Sequence, residues 1–193
     1  MDENLVKIRH ARSEKDFPFL KLEDDEYVEF AFKRAKICFM LICGGVGAGL
    51  ALVLFLFLII VMNQAQLDAM GRNFIFILLT VLVVVALLVG WFMMMIFRGN
   101  KLFLTNRHAI QMIMKSPFSN STNIIDLTGI EDASFSQNGI LQHFFGYGTL
   151  RLSTVGDETT YTFPYSDITA AELKAVSKLI SSKKEKASTK KDK

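Results

Sequence analysis

The chain has 193 residues, 51% of them hydrophobic and 21% charged, with a formal net charge of +3. That charge is uneven: residues 1–36 carry eight Lys/Arg against nine Asp/Glu, residues 100–165 carry four against five, and the excess lies in the last eleven residues. The part expected to fold in water therefore lacks the clustered basic footprint of a nucleic-acid binder. Because Cys38 and Cys43 both fall in an apolar run, it is no disulfide scaffold either.

Residues 1–36 read as a polar N-terminal arm and juxtamembrane lead-in. They are charged and mixed, without the short apolar core of a cleavable signal peptide. The cluster Phe17-Pro18-Phe19-Leu20 favours docking of this arm on a surface. Pro18 argues against a continuous helix there.

Two apolar runs follow, Ile37–Met62 and Phe74–Phe97, with no Asp, Glu, Lys, Arg or His in either. A bilayer-spanning helix needs about 20 such residues, so 37–97 is predicted to be a transmembrane helical hairpin. Lys33, Arg34 and Lys36 precede the first span, and Arg98, Lys101 and Arg107 follow the second. Lys/Arg enrichment marks cytoplasmic flanks, which places both termini in the cytoplasm of a multi-pass inner-membrane protein. The first span contains Gly44, Gly45, Gly47, Ala48 and Gly49. Small residues four apart let helix backbones approach closely in lipid, either against the second span or against another copy. Thr80 is the one side-chain hydroxyl in the spans. Ion and proton pathways need polar groups inside the membrane, so a channel or transporter subunit is a lesser alternative. The glycines form no GxGxxG nucleotide loop.

From residue 98 to 182 the hydrophobic period changes to two, the signature of half-buried strands. Seven short strands are predicted, at 102–106, 108–115, 122–127, 130–136, 140–145, 148–155 and 158–164. A two-residue hairpin is expected at Val155-Gly156-Asp157-Glu158. Phe145-Gly146-Tyr147-Gly148 contains the Gly-Tyr-Gly of a potassium filter, but it follows both spans instead of lying between them, so it reads as a turn. Thr169 and Glu172 form a capping box that opens a helix with Leu173, Val176 and Ile180 on one stripe. Residues 183–193 are Lys-rich and are predicted to be a disordered tail.

Leu102-Phe103-Leu104-Thr105-Asn106-Arg107, Ile125-Asp126-Leu127-Thr128-Gly129-Ile130-Glu131-Asp132 and Phe145-Gly146-Tyr147-Gly148-Thr149-Leu150-Arg151-Leu152, in that order behind a span, resemble the bacterial pleckstrin-homology-like, membrane-flanked domain family. The acidic stretch Leu22–Phe30 is similar to the lead-in found there. The resemblance implies a membrane α-helical hairpin plus an α+β soluble domain: a bent, seven-stranded antiparallel PH-like sheet capped by a C-terminal helix. It implies no enzymatic activity.

Catalytic and metal motifs are absent from the sequence. His10, His108 and His143 are far apart in the chain, no zinc spacing appears, and no Ser sits in GxSxG. No cofactor is expected. The reading is a membrane-anchored, cytoplasm-facing PH-like interaction or scaffolding module, self-associating or binding a protein partner. Its alternative is an anionic-lipid sensor using Arg107, Lys115, Lys183, Lys184 and Lys186, since basic residues near a membrane surface are each worth up to about 1 kcal/mol.

Overall fold

The computed structural model describes residues 3–62, 69–154 and 160–191. In chain order the elements are helix α1 (Glu3–Asp16), strand β1 (Val28–Lys33), helices α2 (Lys36–Met62) and α3 (Ala69–Gly99), strands β2 (Lys101–Thr105), β3 (His108–Ser116), β4 (Ser119–Asp126) and β5 (Ile130–Ser136), helix α4 (Ile140–Phe145), strands β6 (Gly148–Thr154) and β7 (Thr160–Ser166), and helix α5 (Ala170–Lys191).

Helices α2 and α3, of 27 and 31 residues, are about 40 and 46 Å long at 1.5 Å per residue. Both are long and apolar enough to cross a membrane. The protein covers little of them: Cys38 and Val53 are buried on α2, and none of the described side chains of α3 is. Leu, Val and Phe side chains face outward all around, as a helix dissolved in hydrocarbon requires.

The strands form two antiparallel sheets, one ordered β1-β2-β3-β4 and one ordered β5-β6-β7. A short 3-10 turn, Leu127–Gly129, carries the chain between them, with the Asp126 carboxylate accepting the Thr128 N–H at 2.8 Å. On the opposite flank Arg34 bridges to Ser166. The main core lies between the sheets, built on Phe32, Leu104, Leu127, Ile130, Leu150 and Leu152, and α5 closes it with Val176 and Ile180. The Thr169–Glu172 box forms as expected, Thr169 N–H to Glu172 Oε2 at 2.9 Å and Glu172 N–H back to Thr169 Oγ1 at 3.3 Å. A second, smaller cluster covers the outer face of the first sheet, where Leu20 packs on Phe103 and Ile110. Strand β2 is thus buried on both faces.

The sheets contain seven strands, but not the seven expected. Residues 140–145 are helical instead of extended. Their apolar side chains do not alternate, and glycines in the positive-φ region bound them, Gly139 at 107° and Gly146 at 70°, where a Cβ is costly. The missing strand comes from the lead-in: Val28, Phe30 and Phe32 alternate with Glu29, Ala31 and Lys33, a period of two inside what reads as a polar arm. A bulge between Val28 and Phe30 sends Val28 to the outer cluster and Phe30 and Phe32 to the main core. The arm itself is ordered: α1 stops at Asp16, two residues before Pro18. At the other end α5 runs to Lys191, beyond the expected tail boundary at Lys183. Lys, Glu and Ala are good helix formers, and no Gly or Pro follows Ser182 to stop the helix. The Val155–Glu158 hairpin lies outside the described residues.

Candidate functional site

Helices α2 and α3 join the sheets almost without linkers. Lys33, the last residue of β1, pairs with Lys101, the first of β2, while α2 begins at Lys36 and α3 ends at Gly99. At the foot of α2 the Ala35 N–H donates to the Tyr165 carbonyl at 2.6 Å, and the Arg34 guanidinium lies over the Tyr165 ring at 5.6 Å. Ala35, Cys38 and Tyr147 are buried together there, with Ile37 and Phe97 against them. At the foot of α3 the buried Asn100 donates from Nδ2 to the Ile96 carbonyl at 2.6 Å and the Met114 carbonyl at 3.1 Å, and its Oδ1 accepts the Met114 N–H at 3.3 Å. One side chain both caps the helix and pins β3 to it.

The glycines of α2 are open. A Cβ built at Gly44, Gly45, Gly47 or Gly49 meets nothing within 4 Å. The close approach inside the hairpin is made elsewhere, by Gly90 of α3, whose Cβ position is 2.9 Å from Val46 Cγ2. Gly45 and Gly49 instead floor an apolar groove walled by Leu41, Val89 and Met93.

At the far end of the first sheet lies a polar clasp invisible in the sequence. The Glu26 carboxylate, 2% exposed, accepts from Thr105 Oγ1 at 2.5 Å and the Glu23 N–H at 3.1 Å, and pairs with His108 Nδ1 at 2.9 Å. Burial raises its pKa, but these hydrogen bonds and the His108 charge outweigh burial and hold it below the ordinary 4.5. His10 Nδ1 lies 2.6 Å from the Glu26 carbonyl, and Ser13 Oγ accepts the Val28 N–H at 3.0 Å. The clasp ties α1 and the lead-in to the β2–β3 turn.

The basic candidates do not converge. Arg107 and Lys115 sit near opposite ends of β3, eight residues apart, or about 27 Å along a strand. Arg107 is paired with Glu23 at 3.2 Å, at the clasp end, while Lys115 follows Met114 at the foot of α3. Lys183 and Lys184 lie on α5, where Lys184 Nζ donates to the Glu131 carbonyl at 3.4 Å; the side chain of Lys186 is outside the description. Asp126, Glu131 and Asp132 do not converge: Asp126 caps the 3-10 turn, while Glu131 and Asp132 line a groove against α5 with Lys178 and Lys184.

Sequence reasoning also missed two exposed apolar features. Helix α4 turns Ile140, Leu141, Phe144 and Phe145 outward, while its polar Gln142 holds it in place, accepting the Asn138 N–H at 2.6 Å. Phe118, at the β3–β4 turn, is 94% exposed. The apolar run at 140–145 was legible, but its helical form was not.

The sequence model of the bacterial PH domain family matches residues 42–184, from inside α2 to inside α5, and the chain belongs to that family. It is also similar, at 15% identity and a TM-score of 0.33, to the crystal structure of a DUF1696 family protein with a pleckstrin-homology domain from Shewanella loihica PV-4, over 44% of this chain and 70% of that one. Comparison with curated proteins finds no match. PH-like domains are in general non-catalytic interaction modules. Among the described residues no three His, Cys, Asp or Glu side chains lie together as a metal site would need.

Proposed function

We propose that this chain is a membrane-anchored interaction module. Its hairpin spans the inner membrane, its PH-like domain faces the cytoplasm, and copies associate through α2 to present that domain to protein partners. The observation that carries the reading is the open glycine face. Gly44, Gly45, Gly47 and Gly49 have no neighbour within 4 Å of their Cβ positions, and such faces pair helices in lipid. The orientation rests on Lys33, Arg34 and Lys36 ahead of one span and Arg98 and Lys101 behind the other.

The test is the mass of the intact protein in mild detergent, with captured partners identified by mass spectrometry. A dimer or larger species is expected, and Gly45→Leu with Gly49→Leu returns it to monomer without loss of fold. A strictly monomeric protein with no captured partner would sink the proposal. Protease protection in inverted membrane vesicles checks the orientation, since the domain must be cleavable from the cytoplasmic side.

A further inference from the structure

In a domain surrounded by water a short surface helix turns polar side chains out and apolar ones in. Helix α4 departs from this: Gln142 is half-buried and accepts the Asn138 N–H, and beside the exposed His143 the apolar Ile140 and Phe144 stand 88% and 79% exposed. The position of α4 explains the departure. Tyr147, two residues past its end, is buried against Ala35 and Cys38 at the foot of the spans, with Phe97 beside it. Consecutive Cα atoms are about 3.8 Å apart, so Phe145 is within about 8 Å of that foot.

The β3–β4 turn has the same address. Strand β2 leads away from α3, so its antiparallel partner β3 runs back toward it, and Asn100 pins Met114 at the helix end. Phe118 lies four residues beyond that pin, or up to about 13 Å of extended chain. It is 94% exposed. Lys115, just before the turn, is exposed, and a Lys there can keep its charged end in water while its stem covers apolar surface.

We infer that α4 and the Phe118 turn insert into the headgroup–acyl boundary of the cytoplasmic leaflet. The domain is thus seated in the membrane at two apolar points beside the spans. The occupant of these apolar faces is lipid, because both lie within chain reach of the feet of α2 and α3, whose own apolar surface the protein leaves uncovered. Interfacial elements of this kind bury their apolar face about 5–10 Å deep. The inference rests on the reading of α2 and α3 as membrane spans.

The experiment uses the intact protein in phosphatidylcholine nanodiscs whose acyl chains are brominated near the headgroup end or near the terminal methyl. Trp91 of α3 is the single Trp of the chain and is 70% exposed, so its quenching in the unaltered protein reports the spans. Phe144→Trp and, separately, Phe118→Trp are then placed in a Trp91→Phe background. Both sites are exposed and tolerate the larger ring. Shallow bromine is expected to remove about half of the emission at either site, in keeping with interfacial depth, with aqueous acrylamide having little effect. Quenching of Trp91 together with free acrylamide access and no bromine effect at 144 and 118 overturns the inference and leaves the spans standing. Protection from both quenchers overturns it in favour of a second copy or another protein covering these faces. No bromine effect on Trp91 overturns the membrane reading and the inference with it.

Discussion

Lys33 and Lys101 face each other across paired strands, and the chain between them makes the entire excursion through α2 and α3. The hairpin is thus inserted between two neighbouring strands of one sheet, and the lead-in is the sheet's first strand. Phe32, buried in the main core, is where that dependence is largest. Phe32→Ala is expected to cost about 3–5 kcal/mol, the usual range for a core phenylalanine. A chain shortened to begin at Ala35 should fail to give a stable domain even though its spans are intact. Thermal unfolding of the detergent-solubilised protein, followed by loss of the monodisperse peak, measures both.

Glu26 gives a pH dependence with a defined sign. Its folded-state pKa is lowered, so the unfolded chain takes up its proton first as pH falls. The stabilisation is complete above the ordinary value of 4.5 and is lost as pH drops through the lower folded-state value. Melting temperature measured from pH 7 to pH 3 should fall more steeply for the native protein than for Glu26→Gln. At neutral pH Glu26→Ala should cost about 1–3 kcal/mol, because Thr105 and His108 lose a buried partner. Equal acid sensitivity in the native protein and Glu26→Gln would refute this account.

The two kinds of glycine in the hairpin should behave oppositely. At Gly90 a methyl group meets the stiff, branched Val46 at 2.9 Å, and overpacking of this sort costs about 1–3 kcal/mol. At Gly44 the same methyl enters open space. Gly90→Ala should lower the thermal stability of the monomeric form in detergent, and Gly44→Ala should leave that of the monomer unchanged or raise it, since Gly is a poor helix former. The reverse ranking would mean that the helices are packed through the other face.

Gln111 links the two sheets. It is buried, and its Nε2 donates to the Thr162 carbonyl at 2.7 Å. Gln111→Leu keeps the volume but strands that carbonyl, at a cost of about 1–3 kcal/mol. Hydrogen exchange should show β7 losing more protection than β2.

How much of this was readable depends on distance along the chain. The two long apolar helices, the Thr169–Glu172 box and most of the strands are local patterns, each legible from one uninterrupted stretch of chain. The count of seven strands came out right through two errors that offset each other. The run 140–145 is apolar in a way that suits a buried strand, and only its neighbours show that it is surface. Residues 28–33 alternate correctly but stand among so many charges that they read as part of a polar arm. The clasp was not legible at all, because Glu26 and His108 are 82 residues apart and nothing in either neighbourhood names the other. Ile110 and Met112 were visible as one face of a strand. That this face is covered by Leu20 and Phe17 of the arm follows only from the fold.

Asn100 leaves no swivel between α3 and β2. A single residue joins them, and its amide group holds the helix end and the neighbouring strand together. Helices longer than the hydrocarbon layer lean to fit it. Where α3 crosses a bilayer, any such lean is handed to the sheet as a rotation through the same angle, and bilayer thickness then bears on where this domain points.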